Sequence, residues 1–379
     1  MRFRCERDVL VEALSTAQRA VTNRNAALPV LAGVRLELAG DLLRVTGTDL
    51  DLFAQVQVEV VGEADGDAVV PARLAADIVR ALEVGVVRVE GGEDELNISS
   101  GRASFSVRTY VAADFPKVPA PAQRSVTVPA ALLGDALRQV VRAASSDEGV
   151  PIITGVLLAG EEQGLRLVAT DKYRLAVRDL PGVHVLSEGQ HVLVPARALA
   201  ELQRLLPTGP GPSGPTEGET QGAEVTLRLG DHDATFEVGH ARLTTRLIPG
   251  SFPDYRQLLI SGYRNQLIVG KEPLLDALRR VKLLVRDTIT SVRIHLQPET
   301  ITLTVATADV GTATEDVDAK YEGEDLVVAF NPAYLIDGLE AIPGDEVLLQ
   351  AQDKMKQVTL TKNEPGTPDY LYLLMPVRV

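Results

Sequence analysis

Cysteine is almost missing: Cys5 is alone among 379 residues, so no disulfide can form within the chain, and a reducing compartment fits that usage. It falls on an apolar strand pattern and reads as an inert core residue. No apolar run reaches the ~18 residues that a membrane-crossing helix needs. The opening MRFRCERDVL lacks the apolar centre of a secretory signal. A soluble, cytoplasmic protein with no membrane partner is expected. Positive charge is also short, with 38 Lys and Arg against 52 Asp and Glu for a net −14. Bulk attraction to nucleic acid is thereby excluded, because phosphate contacts need Lys and Arg. Any such role must come from local charge placement or from topology. Tryptophan is absent and aromatics make up 4%, yet a chain 45% apolar and 24% charged has a globular composition. Its length calls for two or three domains.

Catalytic signatures are missing too. There is no GxGxxG after a strand, no GxSxG and no HExxH. Gly262 to Gly270-Lys271 has a superficial P-loop look, but seven residues separate the glycines where four are needed, and no Ser or Thr follows. Asp231-His232-Asp233 with His240 could ligate a metal or close a tight turn. Gly230 before it and the apolar alternation from Ala234 favour the turn. An enzyme with a groove active site would need a convergent nucleophile, base or metal set, and none is found. No metal, cofactor or catalytic residue is expected.

What the chain does contain is repetition. Residues 192–206, VLVPARALAELQRLL, run from a short apolar strand through Pro195 into a segment where Leu199, Leu202, Leu205 and Leu206 recur at helical spacing. A proline in the first turn suits a helix start, where its missing N–H is an orphan anyway. Residues 69–82 and 327–342 repeat this unit, with Pro332 again at the helix start. A second strand-to-helix unit occurs at 3–14, 126–137 and 267–278, each copy ending in an Ala-Leu pair. A third recurrence, at 43–49, 165–171 and 301–309, is an alternating strand entering a Thr/Ala-Asp turn. Asp49, Asp171 and Asp309 thus hold equivalent places. An active site is seldom triplicated in one chain, so these carboxylates read as Asx-type turns.

Three similar domains follow, at 1–122, 123–261 and 262–379, the first two closing on AADFPKVP (112–119) and PGSFPDYRQL (249–258). Runs of strands with two helices per third argue for α+β with antiparallel sheet. Residues 103–109 and 224–230 alternate cleanly, so one sheet face is solvated. The Pro/Gly/Thr-rich stretch 207–223 reads as a flexible insertion within the second domain. The six helical segments together carry +2, leaving −16 on the rest of the chain. The helices are basic relative to an acidic remainder, although ordinary solvated helix faces have a similar composition.

These motifs, in this order, resemble one family: the bacterial DNA polymerase III β subunit, the DNA sliding clamp. The carriers are Thr46-Gly47-Thr48-Asp49-Leu50, Val70-Pro71-Ala72-Arg73, Ala112-Ala113-Asp114-Phe115-Pro116, Ala169-Thr170-Asp171 with Arg174-Leu175-Ala176-Val177, Phe252-Pro253-Asp254-Tyr255-Arg256, and the terminal YLLMPVRV from Tyr372. The resemblance implies three tandem copies of a two-helix antiparallel-sheet domain, the DNA clamp fold. It also implies a head-to-tail dimeric ring. Twelve helices with axes about 10 Å apart would enclose a bore of roughly 28 Å, wider than a B-form duplex. Such a ring would hold duplex DNA by topology, without sequence specificity, as a non-catalytic processivity factor.

By the same resemblance, the residues facing DNA would be Arg24, Arg73, Arg80, Arg138, Arg142, Arg197, Arg204, Arg279, Arg280 and Lys282, meeting phosphates and not base edges. The family's aromatic DNA contacts have no counterpart at Gly149-Val150-Pro151-Ile152-Ile153. A peptide-binding groove between the second and third domains would comprise Ile153, Thr170, Lys172, Tyr173, Arg174, Leu175, Pro253, Leu258, Met355, Leu373, Met375, Pro376, Val377, Arg378 and Val379. Many members carry Gly-His in place of Lys172-Tyr173. Its occupants would be the replicative polymerase α subunit, the clamp loader and other proteins with a clamp-binding motif. The dimer interface would use Arg102, Phe105 and Val107 on an edge strand, against Leu283 and Leu284.

Overall fold

The computed structural model describes all residues except 22–27, 93, 207–222, 260–261, 287–289, 309, 367 and 378–379. Arg24, Asp309, Arg378, Val379 and nearly all of the insertion expected at 207–223 lie outside the described residues.

Six helices are described: α1 (Arg7–Gln18), α2 (Ala72–Ala81), α3 (Ala130–Val140), α4 (Ala196–Leu205), α5 (Lys271–Val281) and α6 (Pro332–Ala341). Each follows directly on a strand, as the repeats suggest. The prolines fall slightly differently from the expectation. Pro71, Pro129 and Pro195 are the last residues of their strands, whereas Pro332 lies in the first helical turn. A proline tolerates the strand's end because a missing N–H costs nothing where the helix takes over. Asn331 caps α6, its side chain accepting from the Ala333 and Tyr334 N–H groups.

The same element order runs three times through the chain. Each third reads strand, helix, several strands, helix, three strands, and the first third adds only the short strand Val61–Ala64. Among the described residues the strands pair antiparallel; for example, Gly33–Ala39 pairs with both Leu42–Thr48 and Gly66–Pro71. The Ala-Leu pairs Ala13-Leu14, Ala136-Leu137 and Ala277-Leu278 are all buried. In α2 the buried residues are Ala72, Ala75, Ala76, Ile78 and Val79; in α5 they are Leu274, Leu275, Ala277, Leu278 and Val281. The intervening arginines stay outside, as amphipathic spacing requires.

By compactness the chain divides into two units, residues 1–133 with 197–247, and residues 134–196 with 248–379. The first holds a five-stranded and an eight-stranded sheet, with α1 and α2 packed together over a core that includes Phe3, Leu10, Leu14, Val45, Val79 and Leu96. Cys5 lies in this core, where burial and then Glu6 push its thiol pKa up to about 12. It is an inert core residue, as expected. The second unit holds a twelve-stranded sheet, against which α5 and α6 pack together.

In each unit the sheet passes without a break between thirds of the sequence. Leu52–Glu59 pairs with Ala241–Arg246 in the first unit, and Arg174–Pro181 with Tyr370–Leu374 in the second. Asp231-His232-Asp233 closes the hairpin between Glu224–Leu229 and Asp233–Val238, with the Gly230 N–H donating to the Asp233 carbonyl at 2.8 Å. Lys271, the residue of the superficial P-loop, spends its ammonium on the Ile342 carbonyl at 3.1 Å.

Gly47 shows how closely helix and sheet approach. A Cβ placed there would lie 2.0 Å from the Ala17 carbonyl oxygen of α1, and a backbone atom cannot swing away. Gly47→Ala should therefore destabilise the protein by about 1–3 kcal/mol. The check is urea unfolding of the two proteins side by side, with an unchanged midpoint contradicting the packing.

Candidate functional site

The turns that carry the repeated aspartates are built alike. Asp49 accepts from the Asp51 and Leu52 N–H groups at 3.1 and 2.9 Å; Asp171 accepts from Tyr173 and Arg174 at 3.0 Å each. The Thr48 and Thr170 hydroxyls accept from Leu50 and Lys172 N–H. These are the expected Asx-type turns. Among the described residues, Leu50 and Lys172 are the two non-glycine residues with positive φ, at 84° and 80°. That left-handed conformation costs a side chain and suits glycine.

Arg174 leaves its turn to join a half-buried network. Its guanidinium donates to Asp171 at 3.0 Å, to Asp337 on α6 and to the Tyr372 hydroxyl, and it lies 4.3 Å over the Tyr334 ring. Burial works against its charge, but Tyr372, Asp337 and Asp171 outweigh that, so its pKa sits above the ordinary value. Tyr372 is fully buried and donates to the Tyr334 carbonyl at 2.8 Å; burial pushes its own pKa up. Tyr173, 61% exposed, stacks on Tyr334 with ring centres 6.5 Å apart.

Next to this network lies an apolar face. Leu175 and Leu373 stand opposite each other on paired strands and share a buried cluster with Tyr255 and Val177. Ile152, Phe252, Leu259 and Met375 are partly buried against it. The Met375 N–H donates to the Tyr173 carbonyl and the Val377 N–H to the Ala329 carbonyl, both at 2.8 Å. Leu258, Met355 and Val377 are exposed apolar side chains. The Gln357 side chain donates to the Leu258 carbonyl at 3.2 Å, while Asp353 fixes the turn bearing Met355.

Most of the expected groove residues are therefore brought into one unit. Two are placed otherwise. Ile153 is 2% exposed, and its neighbour Ile152 packs on the cluster instead. Pro253 lines a cavity of about 290 Å³ with His191 and with Leu157, Phe252 and Tyr255 of the apolar cluster. Tyr334, Asp337 and Tyr372 were missed because strand and helix patterns mark them only as ordinary element residues. Asn331, a strong helix-cap residue, marks in the sequence the start of α6, the helix that carries Tyr334 and Asp337.

The candidate arginines line up along and just beyond the helices, and among the described residues Arg73, Arg80, Arg138, Arg142, Arg197, Arg204, Arg279 and Arg280 are each paired with an acid. Arg73 and Arg80 share Asp77, at 3.7 and 2.9 Å. Arg138 meets Asp135 at 2.6 Å, Arg204 meets Glu201 at 2.5 Å, and Arg197 meets Asp49. Arg142 bonds Glu340 at 3.2 Å and the Asp337 carbonyl at 3.3 Å. Arg279 bonds Glu340 at 3.1 Å and Asp276 at 3.4 Å, and Arg280 makes a two-pronged contact with Glu315. Hydrogen bonds to Glu340 and Glu315 raise the pKa values of Arg279 and Arg280. Lys282 is exposed in the turn after α5.

Of the candidate interface residues, Phe105 is 40% exposed on Ala103–Arg108, the end strand of the five-stranded sheet, with Arg102 exposed just before it. Val107 is 4% exposed and belongs to its own unit's core, so it is not available there as expected. Leu283 is 77% exposed and Leu284 half-buried.

Comparison with known proteins covers the chain in three consecutive pieces. Residues 1–119, 127–254 and 256–378 match the N-terminal, central and C-terminal domains of the DNA polymerase III beta subunit. The beta sliding clamp of Streptomyces coelicolor is 32% identical, and that of Caulobacter vibrioides 30%, each over the full length of both chains. Among solved structures, the Bartonella birtlesii sliding clamp, crystallised with griselimycin, superposes with a TM-score of 0.91 at 29% identity and full coverage of both chains. The Bacillus subtilis clamp gives 0.90 at 27%, over 100% of this chain and 99% of that one. Matched from end to end by the family's three domains in order, the chain belongs to the DNA polymerase III beta-subunit family, the sliding clamps.

Proposed function

We propose that this protein is a DNA sliding clamp: a non-catalytic subunit of which two copies close head to tail around duplex DNA and tether the replicative polymerase to it. The division into domains 1–122, 123–261 and 262–379 goes with this reading, supported by the element order that recurs in each third. Its partners are DNA held by topology, a second copy, the polymerase α subunit, the clamp loader and other proteins bearing a clamp-binding motif. It works in the cytoplasm; among the described residues no helix is long and apolar enough to cross a membrane.

The observation that carries the ring is a free pair of sheet edges. In each of the first two thirds, the strand leaving the Asp turn pairs with the last strand of the following third. Two edges are left over by that rule. One is Ala103–Arg108, the last strand of the first third. The other is residues 311–318, the start of the strand after the third Asp turn, paired on one side with Thr300–Thr307 while only 319–322 pair with Asn265–Gly270. Joining these edges between copies follows the rule, and a head-to-tail contact of this kind that closes after two copies leaves neither edge open. Charge favours the match: Arg102 and Arg108 flank the first strand, and Asp316 and Asp318 lie on the second. The turn bearing Leu283 and Leu284 packs beside that second strand.

Four outcomes are expected. The protein should run at about 81 kDa in solution, twice the chain mass of 40.6 kDa. Once loaded, it should stay on circular DNA and leave when the circle is cut; a monomer, or loss from intact circles, counts against the ring. Leu283→Asp with Leu284→Asp should give monomers, since unpaired carboxylates are costly to bury at an apolar contact. Light scattering reads this, and an intact dimer rejects the interface. Deleting residues 375–379 should abolish binding of a labelled peptide carrying the polymerase's clamp-binding motif while the dimer mass persists. Normal peptide affinity in the truncated chain would refute the groove.

A further inference from the structure

A charge pattern recurs at one register on all six helices. Counting from the residue just before each helix, the sixth residue on is acidic every time: Glu12, Asp77, Asp135, Glu201, Asp276 and Asp337. The ninth is arginine in α2, α3, α4 and α5, namely Arg80, Arg138, Arg204 and Arg279. Each of these arginines meets the acid one turn before it, at 2.9, 2.6, 2.5 and 3.4 Å respectively. Where the ninth residue is not arginine, it accepts from the arginine of the neighbouring helix. Ser15 of α1 takes Arg80 at 3.2 Å, and Glu340 of α6 takes Arg279 at 3.1 Å.

An arginine already matched by a carboxylate adds almost no net field at a distance, and a phosphate must displace that carboxylate to gain the contact. The acid also limits how many counterions DNA sheds on binding, the quantity that sets both affinity and its fall with salt. The arginine side chains are 48–60% exposed, so the exchange is open to solvent. We propose that Asp77, Asp135, Glu201 and Asp276 are positioning residues that hold the DNA-facing arginines and keep the grip on phosphate weak, so that the ring slides instead of sticking. The proposal rests on the reading that these helix faces meet DNA.

The test is binding of the intact dimer to a short fluorescein-labelled duplex, followed by anisotropy across a salt series. The variant carrying Asp77→Asn, Asp135→Asn, Glu201→Gln and Asp276→Asn should bind about ten-fold tighter at low salt, with a steeper loss of affinity as salt rises. Affinity and salt slope equal to or weaker than the parent's would overturn the proposal. That is also the result if the pairs serve only to stabilise their helices, in which case thermal stability drops without tighter binding. Should the quadruple variant misfold, Asp135→Asn with Asp276→Asn, both at exposed sites, must shift affinity the same way by a smaller factor. A second variant, Arg80→Ala, Arg138→Ala, Arg204→Ala and Arg279→Ala, separates the two levels. If it binds DNA like the parent, the helix faces do not meet DNA and both readings fall. If it binds more weakly while the carboxamide variant does not tighten, only the role of the carboxylates is refuted.

Discussion

Backbone pairing at sheet edges governs this protein. A strand edge presents N–H and C=O groups that must find partners or face water, and an open edge invites another chain. The fold meets that demand by handing each third's edge to the next. Leu52–Glu59 is completed by Ala241–Arg246, and Arg174–Pro181 by Tyr370–Leu374. Compactness therefore ignores the sequence repeats: each compact unit is assembled around a seam between thirds, and the middle third contributes to both. The seams also explain why the candidate groove is where it is. Leu175 and Leu373 meet because they are register partners across the second seam.

The Asp turns that feed these seams do more than reverse the chain. Asp49 and Asp171 each cap their turn with backbone N–H groups and also hold an arginine, Arg197 and Arg174 respectively. In the second unit, Arg174 carries the connection onward to Asp337, Tyr334 and Tyr372. A buried guanidinium needs such partners, because removing them would strand a charge in a poor solvent. The result is a rigid shelf directly beneath exposed Tyr173, and beside an apolar face whose Met375 is supple enough to fit different side chains.

Electrostatics follows the same economy. The chain is acidic overall, and its helix arginines are balanced residue by residue rather than massed into a basic surface. Helix α6 carries acids, Asp337 and Glu340, at both registers and draws in arginines from elsewhere: Arg174, Arg142 and Arg279. A protein that holds DNA by enclosure has no need of a strong field, and a strong field would slow its movement.

Much of this was legible in the residues alone. The strand-to-helix units, the buried Ala-Leu pairs, the Asx turns and the three-fold element order follow from local periodicity and turn chemistry, which act over a few residues. Thr170, Arg174, Leu175 and the terminal strand, which the family motifs single out, lie on neighbouring strands of one unit. What local pattern could not supply was adjacency. Alternation says which face of a strand is buried but not which strand lies beside it, so the seams, and the joining of Tyr334, Asp337 and Tyr372 to Arg174, came only with the tertiary structure. For the same reason Val107 and Ile153 proved to be core residues: an apolar side chain at an edge or a turn can face either way. Only the packing of distant segments decides which.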